Sequence, residues 1–376
     1  GPVLVSGGGL NREFAFDGKV WRTVPIVEGL PVTSDEFHIR TLDDREWSVT
    51  DYRSTGEPEQ NGNALVFHYV WPAGSPLPKD APAKVTIRFE ASPGQACIRK
   101  EVELEYTAEA TIDRLEVERF TTEKAASRGG RGEPVFIADK WFFGLEYPAG
   151  HSRHTDGNTP EPDAHHYEMV GNYSFIDLEK RDREAKPQPG LVRLFHFPGF
   201  AKMEDGRRII RSKTAVTGIA PEGLTAEEGF SRYLESIAKP ARSSTHYNNW
   251  FDPAGKSLKG DNFPKIHAAF QEALKGYDIR IDAMVPDDGW QNRASVWDPA
   301  AVHFPKGFEE LKDLSEALQK DGTSLGLWPA LNGTNTNVGW GETQGYKRAK
   351  ANKYFSQYFT YYSLSADGYR GKLEQQ

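Results

Sequence analysis

Ile279-Arg280-Ile281-Asp282-Ala283-Met284-Val285-Pro286-Asp287-Asp288-Gly289-Trp290 is the stretch that decides the fold. An apolar run from Ile279 to Val285 ends in two adjacent carboxylates, a glycine suited to a tight turn and a tryptophan. The run lies between two segments with helical periodicity, so it reads as the strand of a β/α unit, and the loop after such a strand is where ligands bind. Carboxylates accept hydrogen bonds from sugar hydroxyls, and an indole face packs against the C–H face of a pyranose. The loop therefore points to carbohydrate.

The flanking sequence repeats this unit. Thr245–Trp250 reads as a first strand. A helix follows over about 263–275, with Ile266, Phe270, Ala273 and Leu274 on one face and Gly276 after its end. A second helix spans about 307–320 on the stripe Phe308, Leu311, Leu314 and Leu318, and Ser324–Trp328 reads as a third strand. A last helix begins near Ala366. Alternating strands and helices predict a parallel sheet. About three units are present, too few to cover a sheet edge. The expectation is the N-terminal part of a larger barrel, with the remaining half in the same polypeptide or in another chain.

Upstream the period changes. Val85, Ile87 and Phe89 alternate with Thr86, Arg88 and Glu90; Val102, Leu104 and Tyr106 alternate with Glu101, Glu103 and Glu105. Leu115 and Val117 alternate with Glu116 and Glu118 in the same way. Period two with charge on the other face predicts antiparallel strands with one wet side. Many strands without helices predict a β-sandwich over 1–224. Ser127–Glu133 and His151–His166 read as long loops. Thr225 and Glu228 form a capping box, and Phe230, Tyr233, Leu234 and Ile237 continue at helical spacing to Pro240. The expected organisation is a sandwich (1–224), a linking helix (225–243) and the first βα units of a barrel (244–376).

Bulk properties narrow the function. Of 376 residues, 38% are hydrophobic and 27% charged, as in a globular protein. No apolar run approaches the ~20 residues that span a bilayer, so no membrane segment is expected. The net charge is −8 with no basic stripe, which argues against nucleic acid. Nine Trp and fifteen Tyr suit either a large β-rich core or sugar-binding surfaces. Cys97 is the single cysteine, which excludes an intrachain disulfide and a cysteine-based metal site. No signal peptide is visible, and the start at Gly1-Pro2 reads as the scar of a tag-removing protease. The compartment stays open, with a bacterial secreted or periplasmic location compatible.

His151, His154, His165 and His166, with Asp156 and Asp163, have the residue types of a metal site, but a Pro/Gly-rich loop without a supporting helix reads better as solvated. Arg128-Gly129-Gly130-Arg131-Gly132 lacks the Lys-Ser/Thr and following helix of a phosphate loop.

Asn248-Asn249-Trp250, Asp287-Asp288-Gly289-Trp290 and Gly326-Leu327-Trp328, at the ends of the three strands, resemble the α-galactosidase and α-N-acetylgalactosaminidase clan. Trp297-Asp298-Pro299 followed by Phe304-Pro305-Lys306-Gly307 extends the likeness to the bacterial members of glycoside hydrolase family 36. Trp141-Phe142-Phe143-Gly144-Leu145-Glu146-Tyr147-Pro148 is similar to segments of their N-terminal sandwich. The resemblance implies a β-sandwich before a (β/α)8 barrel and retaining hydrolysis of terminal α-galactose or α-N-acetylgalactosamine. It also implies that Asp287 and Asp288 hold the 4- and 6-hydroxyls of the sugar, with Trp250 and Trp328 lining the pocket. Trp290, Asn248 and Tyr247 complete the candidate set. The implied nucleophile and acid/base are aspartates after strands four and six, expected after Gln376, and no cofactor is implied because carboxylates alone supply the chemistry. This chain departs from the pattern at Pro329-Ala330-Leu331-Asn332, where many members carry Glu-Pro-Glu, which leaves the sugar open.

Asp287 and Asp288 do not suit the two catalytic roles themselves. A retaining pair stands ~5–5.5 Å apart across the anomeric carbon, and neighbours on a strand point to opposite faces. The local alternative is an Asp capping the next turn with Gly289 left-handed. Two further readings stay open: a non-catalytic carbohydrate-binding or assembly module, and a hydrolase of the related α-glucosidase clan.

Overall fold

The computed structural model describes residues 3–27, 29–41, 43, 45–91, 94–155, 167–169, 174–177, 188–252, 262–331, 333, 336–347, 355–357, 362 and 367–375. The chain forms two compact units, one of residues 1–166 and 179–238 and one of 167–178 and 239–376. Among the described residues no helix is long and apolar enough to cross a membrane.

The first unit is a β-sandwich of antiparallel sheets. In one sheet, Lys84–Ala91 pairs with Cys97–Tyr106 in register from Lys84↔Glu105 to Ala91↔Ile98. In the other, Thr111–Thr121 lies between Leu191–His196 and His38–Thr41. Val85, Ile87, Phe89, Val102 and Leu104 of the first sheet share one core with Ile39, Ile112, Leu115, Val117 and Val192 of the second. The alternation expected for the first two of these strands is present.

Thr111–Thr121 departs from expectation. Glu116 and Glu118 are both fully buried rather than wet. The register shifts between Glu116 and Glu118, so Val117 bulges. One extra residue in a strand reverses the alternation beyond it. Glu118 thus turns into the core, against Arg12 at 2.6 Å and Lys100 at 3.3 Å. Glu116 meets Arg114 at 2.9 Å and Arg119 at 2.8 Å instead. Burial pushes the Glu116 carboxyl up, but Arg114, His38 and Arg119 outweigh it and hold the group well below the usual carboxylate range. Buried carboxylates persist where cations meet them.

Two expected loops also differ. Ala126–Arg128 and Gly130–Arg131 are short strands. Gly129 turns the chain between them at φ 95°, where an added Cβ would stand 2.8 Å from the Ser152 carbonyl oxygen. His151–His154 is a strand, and the His151 ring is buried and stacked on Phe195 at 5.0 Å. Asp156, Asp163, His165 and His166 lie outside the described residues. Among the described residues no group of three or more His, Cys, Asp or Glu is arranged to hold a metal.

Helix Ala226–Ile237 closes this unit. Thr225 and Glu228 form the capping box, each bonding the other's backbone N–H. The helix ends at Ile237, and its Phe230 and Tyr233 pack on Phe142.

The second unit contains a parallel sheet of three strands, His246–Asn248, Ala283–Val285 and Ser324–Leu325, in that order. Helices Asn262–Ala273 and Phe308–Gln319 connect them. Tyr247, Phe263, Ile281, Met284, Trp290, Phe304, Leu311, Leu314 and Leu318 form its core. The parallel βα units are therefore present as expected, with shorter strands. Ile279 is 55% exposed and lies before the strand, because pairing starts only where His246 meets Ala283. The second and third strands approach closely at their ends: a Cβ on Gly326 would stand 2.8 Å from Val285 Cγ2.

Candidate functional site

The site is built where the parallel strands finish. After the first strand, Asn249–Phe251 makes a single 3-10 turn, capped by Asn248, whose Oδ1 accepts from the Trp250 N–H at 2.8 Å. The same Asn248 side chain donates through Nδ2 to Asp287 Oδ2 at 2.7 Å. Asn249 Oδ1 accepts from the Asp287 N–H, also at 2.7 Å. The two asparagines thus bind the end of the second strand to the end of the first, one through the Asp287 side chain and one through its backbone.

Asp287 is buried, and its other oxygen, Oδ1, accepts from the Asp288 N–H at 2.7 Å. That bond reaches only the next residue, one short of the span of an Asx turn, and Gly289 follows at φ 106°. Each Asp287 oxygen keeps a second lone pair. Asp288 is arranged differently. Its Oδ2 accepts from Arg293 Nη2 at 3.2 Å, and Arg293 is largely exposed. Its Oδ1 is buried and has no hydrogen-bond partner among the described residues. An acceptor left bare in this way demands an explanation, and a bound donor is one.

The tryptophans divide by exposure. Trp290 is 2% exposed and belongs to the core, and its indole N–H donates to the Trp328 carbonyl at 2.7 Å. Its ring therefore supports the third strand's end and offers no free face. Trp328 is half-buried, and its backbone N–H donates to the Pro286 carbonyl at 3.3 Å. Trp250 is 51% exposed, the most open of the three. Tyr247 is buried in the core, and its hydroxyl donates to Asp252 Oδ2 at 2.7 Å. Burial and the Asp252 carboxylate both push this phenol up.

The loop after Trp290 is closed by its own bonds. Gln291 bridges to Pro299, and the Asn292 N–H donates to the Asp298 carbonyl at 2.7 Å. The Asp298 N–H donates to Ser295 Oγ at 2.9 Å, and Trp297 sits at φ 79°, an unusual region for a bulky residue. The Arg293 carbonyl accepts from Asn337 N–H at 2.5 Å, which ties this loop to the segment after the third strand. Sequence reading singled out Asn248, Asp287 and Asp288, which the fold brings together. It missed Asn249, Gln291 and Arg293. The signal for Asn249 was the doubled asparagine at a strand end; Gln291 and Arg293 carried none.

The fold resembles solved α-galactosidases. The α-galactosidase AgaA of glycoside hydrolase family 36 from Geobacillus stearothermophilus matches with a TM-score of 0.56 at 12% identity, over 100% of this chain and 63% of that one. AgaB from the same organism matches with a TM-score of 0.53 at 10% identity, over 99% of this chain and 62% of that one. Variants of AgaA in complex with raffinose and with stachyose match equally, each with a TM-score of 0.55 at 12% identity over 100% of this chain and 63% of the other. The chain thus spans less than two thirds of the length of these structures. No family model and no curated protein matches its sequence. N-terminal antiparallel sheets followed by parallel β/α units are what this chain shares with the family 36 α-galactosidases.

Proposed function

We propose that this chain carries the substrate-binding part of a retaining α-glycoside hydrolase acting on terminal α-galactose or α-N-acetylgalactosamine. In this reading residues 1–224 are the sandwich, 225–243 the linking helix and 244–376 the start of a (β/α)8 barrel. Asp287 and Asp288 accept hydroxyls of the sugar, Trp250 and Trp328 border the ring, Asn248 fixes Asp287, and Trp290 supports Trp328 from below. The nucleophile and the acid/base are assigned to aspartates after strands four and six of that barrel. One carboxylate there attacks the anomeric carbon while the other protonates the leaving oxygen.

The observation that carries the reading is Asp288 Oδ1, a buried acceptor with no partner among the described residues, just after a parallel strand. The likeness to α-galactosidase folds supports the choice of sugar. The test is calorimetric titration with methyl α-D-galactopyranoside and methyl α-N-acetylgalactosaminide, beside an aryl-glycoside panel on the full-length protein. Asp288→Ala should lose both binding and turnover. Wild-type affinity in that variant refutes the assignment. Binding without turnover in the wild type selects the non-catalytic module, and cleavage of aryl α-glucosides alone selects the α-glucosidase clan.

A further inference from the structure

Gln291, three residues after Asp288, carries a second unmet buried polar atom. Its side chain is 4% exposed, and its Nε2 is a buried donor with no partner among the described residues. The orientation of its carboxamide is fixed by Oε1, which accepts from the Gly289 N–H at 3.3 Å. Turned over, the amide would set a donor against a donor. Gly289 N is bonded directly to the carbonyl carbon of Asp288, so the carboxamide lies along the same peptide as the Asp288 side chain. The backbone of Gln291 is held by its bridge to Pro299. One short turn therefore holds a bare acceptor, Asp288 Oδ1, and a bare donor, Gln291 Nε2.

An alcohol is the group that satisfies both, because a hydroxyl donates one hydrogen bond and accepts others. We propose that Gln291 is a specificity-determining residue, reading one sugar hydroxyl jointly with Asp288: the hydroxyl donates to Asp288 Oδ1 and accepts from Gln291 Nε2. The inference rests on the carbohydrate reading above and adds to it a residue and a hydrogen-bond polarity. Arg293 contributes by holding Asp288 Oδ2, which leaves Oδ1 for the ligand. Sites built to bond a hydroxyl reject analogues that lack it, since their own polar groups are then stranded.

The experiment compares methyl α-D-galactopyranoside with its 4-deoxy and 6-deoxy analogues, by calorimetric titration into the full-length protein, Gln291→Met and Gln291→Glu. Met keeps the volume and loses the donor; Glu keeps the shape and the acceptor for Gly289 while replacing the donor with a carboxylate oxygen. Both variants should bind the parent sugar about tenfold more weakly, the loss expected for one hydrogen bond in a buried site. One deoxy analogue should bind wild type and Gln291→Met alike, so that the preference for the parent sugar collapses for that hydroxyl alone. Equal weakening of all three sugars, or none, overturns the proposal and leaves the carbohydrate reading intact. Wild-type protein that binds none of them overturns both.

Discussion

The sandwich core contains a charge balance that can be broken one residue at a time. Arg12 and Lys100 face Glu36 and Glu118, and all four side chains are at most 2% exposed. Arg12 donates to Glu118 Oε1 at 2.6 Å and to Thr23 Oγ1 at 2.9 Å, and the Thr23 N–H donates to Glu36 Oε1 at 2.6 Å. Lys100 also donates to the Glu36 carbonyl. Two cations thus stand against two anions. Glu118→Gln leaves Arg12 and Lys100 against Glu36 alone, one buried charge uncompensated. Removing one partner of a buried pair costs about 3–5 kcal/mol. Exchanging Lys100 for Met in the same chain restores one cation to one anion and should recover most of that loss. The pH dependence has a definite sign. Burial pushes the Glu118 carboxyl up, but Arg12 and Lys100 outweigh it and hold it below the usual range. A depressed carboxyl binds fewer protons folded than unfolded, so its contribution is complete above the unfolded value of ~4.3 and fades as pH falls below it. The gap between wild type and Glu118→Gln should therefore be flat from about pH 5 to 7 and narrow toward pH 3. Because the chain has two units, unfolding is best read locally, from hydrogen exchange of Cys97–Tyr106 across a urea gradient. A gap under ~1 kcal/mol, or a double variant no better than Glu118→Gln, refutes the reasoning.

Two further outcomes concern the second unit. Asn249→Ala strands the buried Asp287 N–H, which should cost about 1–3 kcal/mol and lower affinity for methyl α-D-galactopyranoside; thermal unfolding and titration check the two effects together, and an unchanged melting temperature contradicts the clamp. Trp250→Ala should leave stability within ~0.5 kcal/mol, because half of the ring is already in water. It should nonetheless weaken sugar binding about three- to tenfold, as loss of one aromatic face does; full affinity in this variant removes Trp250 from the site.

Where the chain repeats a period, its fold can be read directly. The stripe Leu311, Leu314 and Leu318 is buried in the second core, and Thr225 with Glu228 caps the helix its sequence pattern marks. Glu116 and Glu118 were misread because alternation assumes an unbroken ladder, and a bulge at Val117 is invisible to it. The cations that make their burial tolerable come from residues as distant in sequence as Arg12, and no local window contains both. Strand ends suffered likewise: Ile279 is as apolar as its neighbours but has no strand beside it.

The site was legible for a different reason. Asp287 and Asp288 follow an apolar strand, where packing would favour neither, so their presence marked a cost borne for something other than the core. The fold shows how unequal that cost is. Asp287 is buried but bonded, by Asn248 and by the Asp288 N–H. Asp288 Oδ1 and Gln291 Nε2 are buried and bare, which stability does not account for, since an unmet buried polar atom costs about 1–3 kcal/mol. Other buried polar atoms among the described residues are unmet too, such as those of Trp47, Trp71, Tyr106 and His303, so it is their place after a parallel strand that sets Asp288 and Gln291 apart. The two unmet atoms are of opposite polarity and lie three residues apart, which is why one sugar hydroxyl is proposed to bond both. On that proposal a ligand rich in hydroxyls would recover, on binding, what the unmet atoms cost.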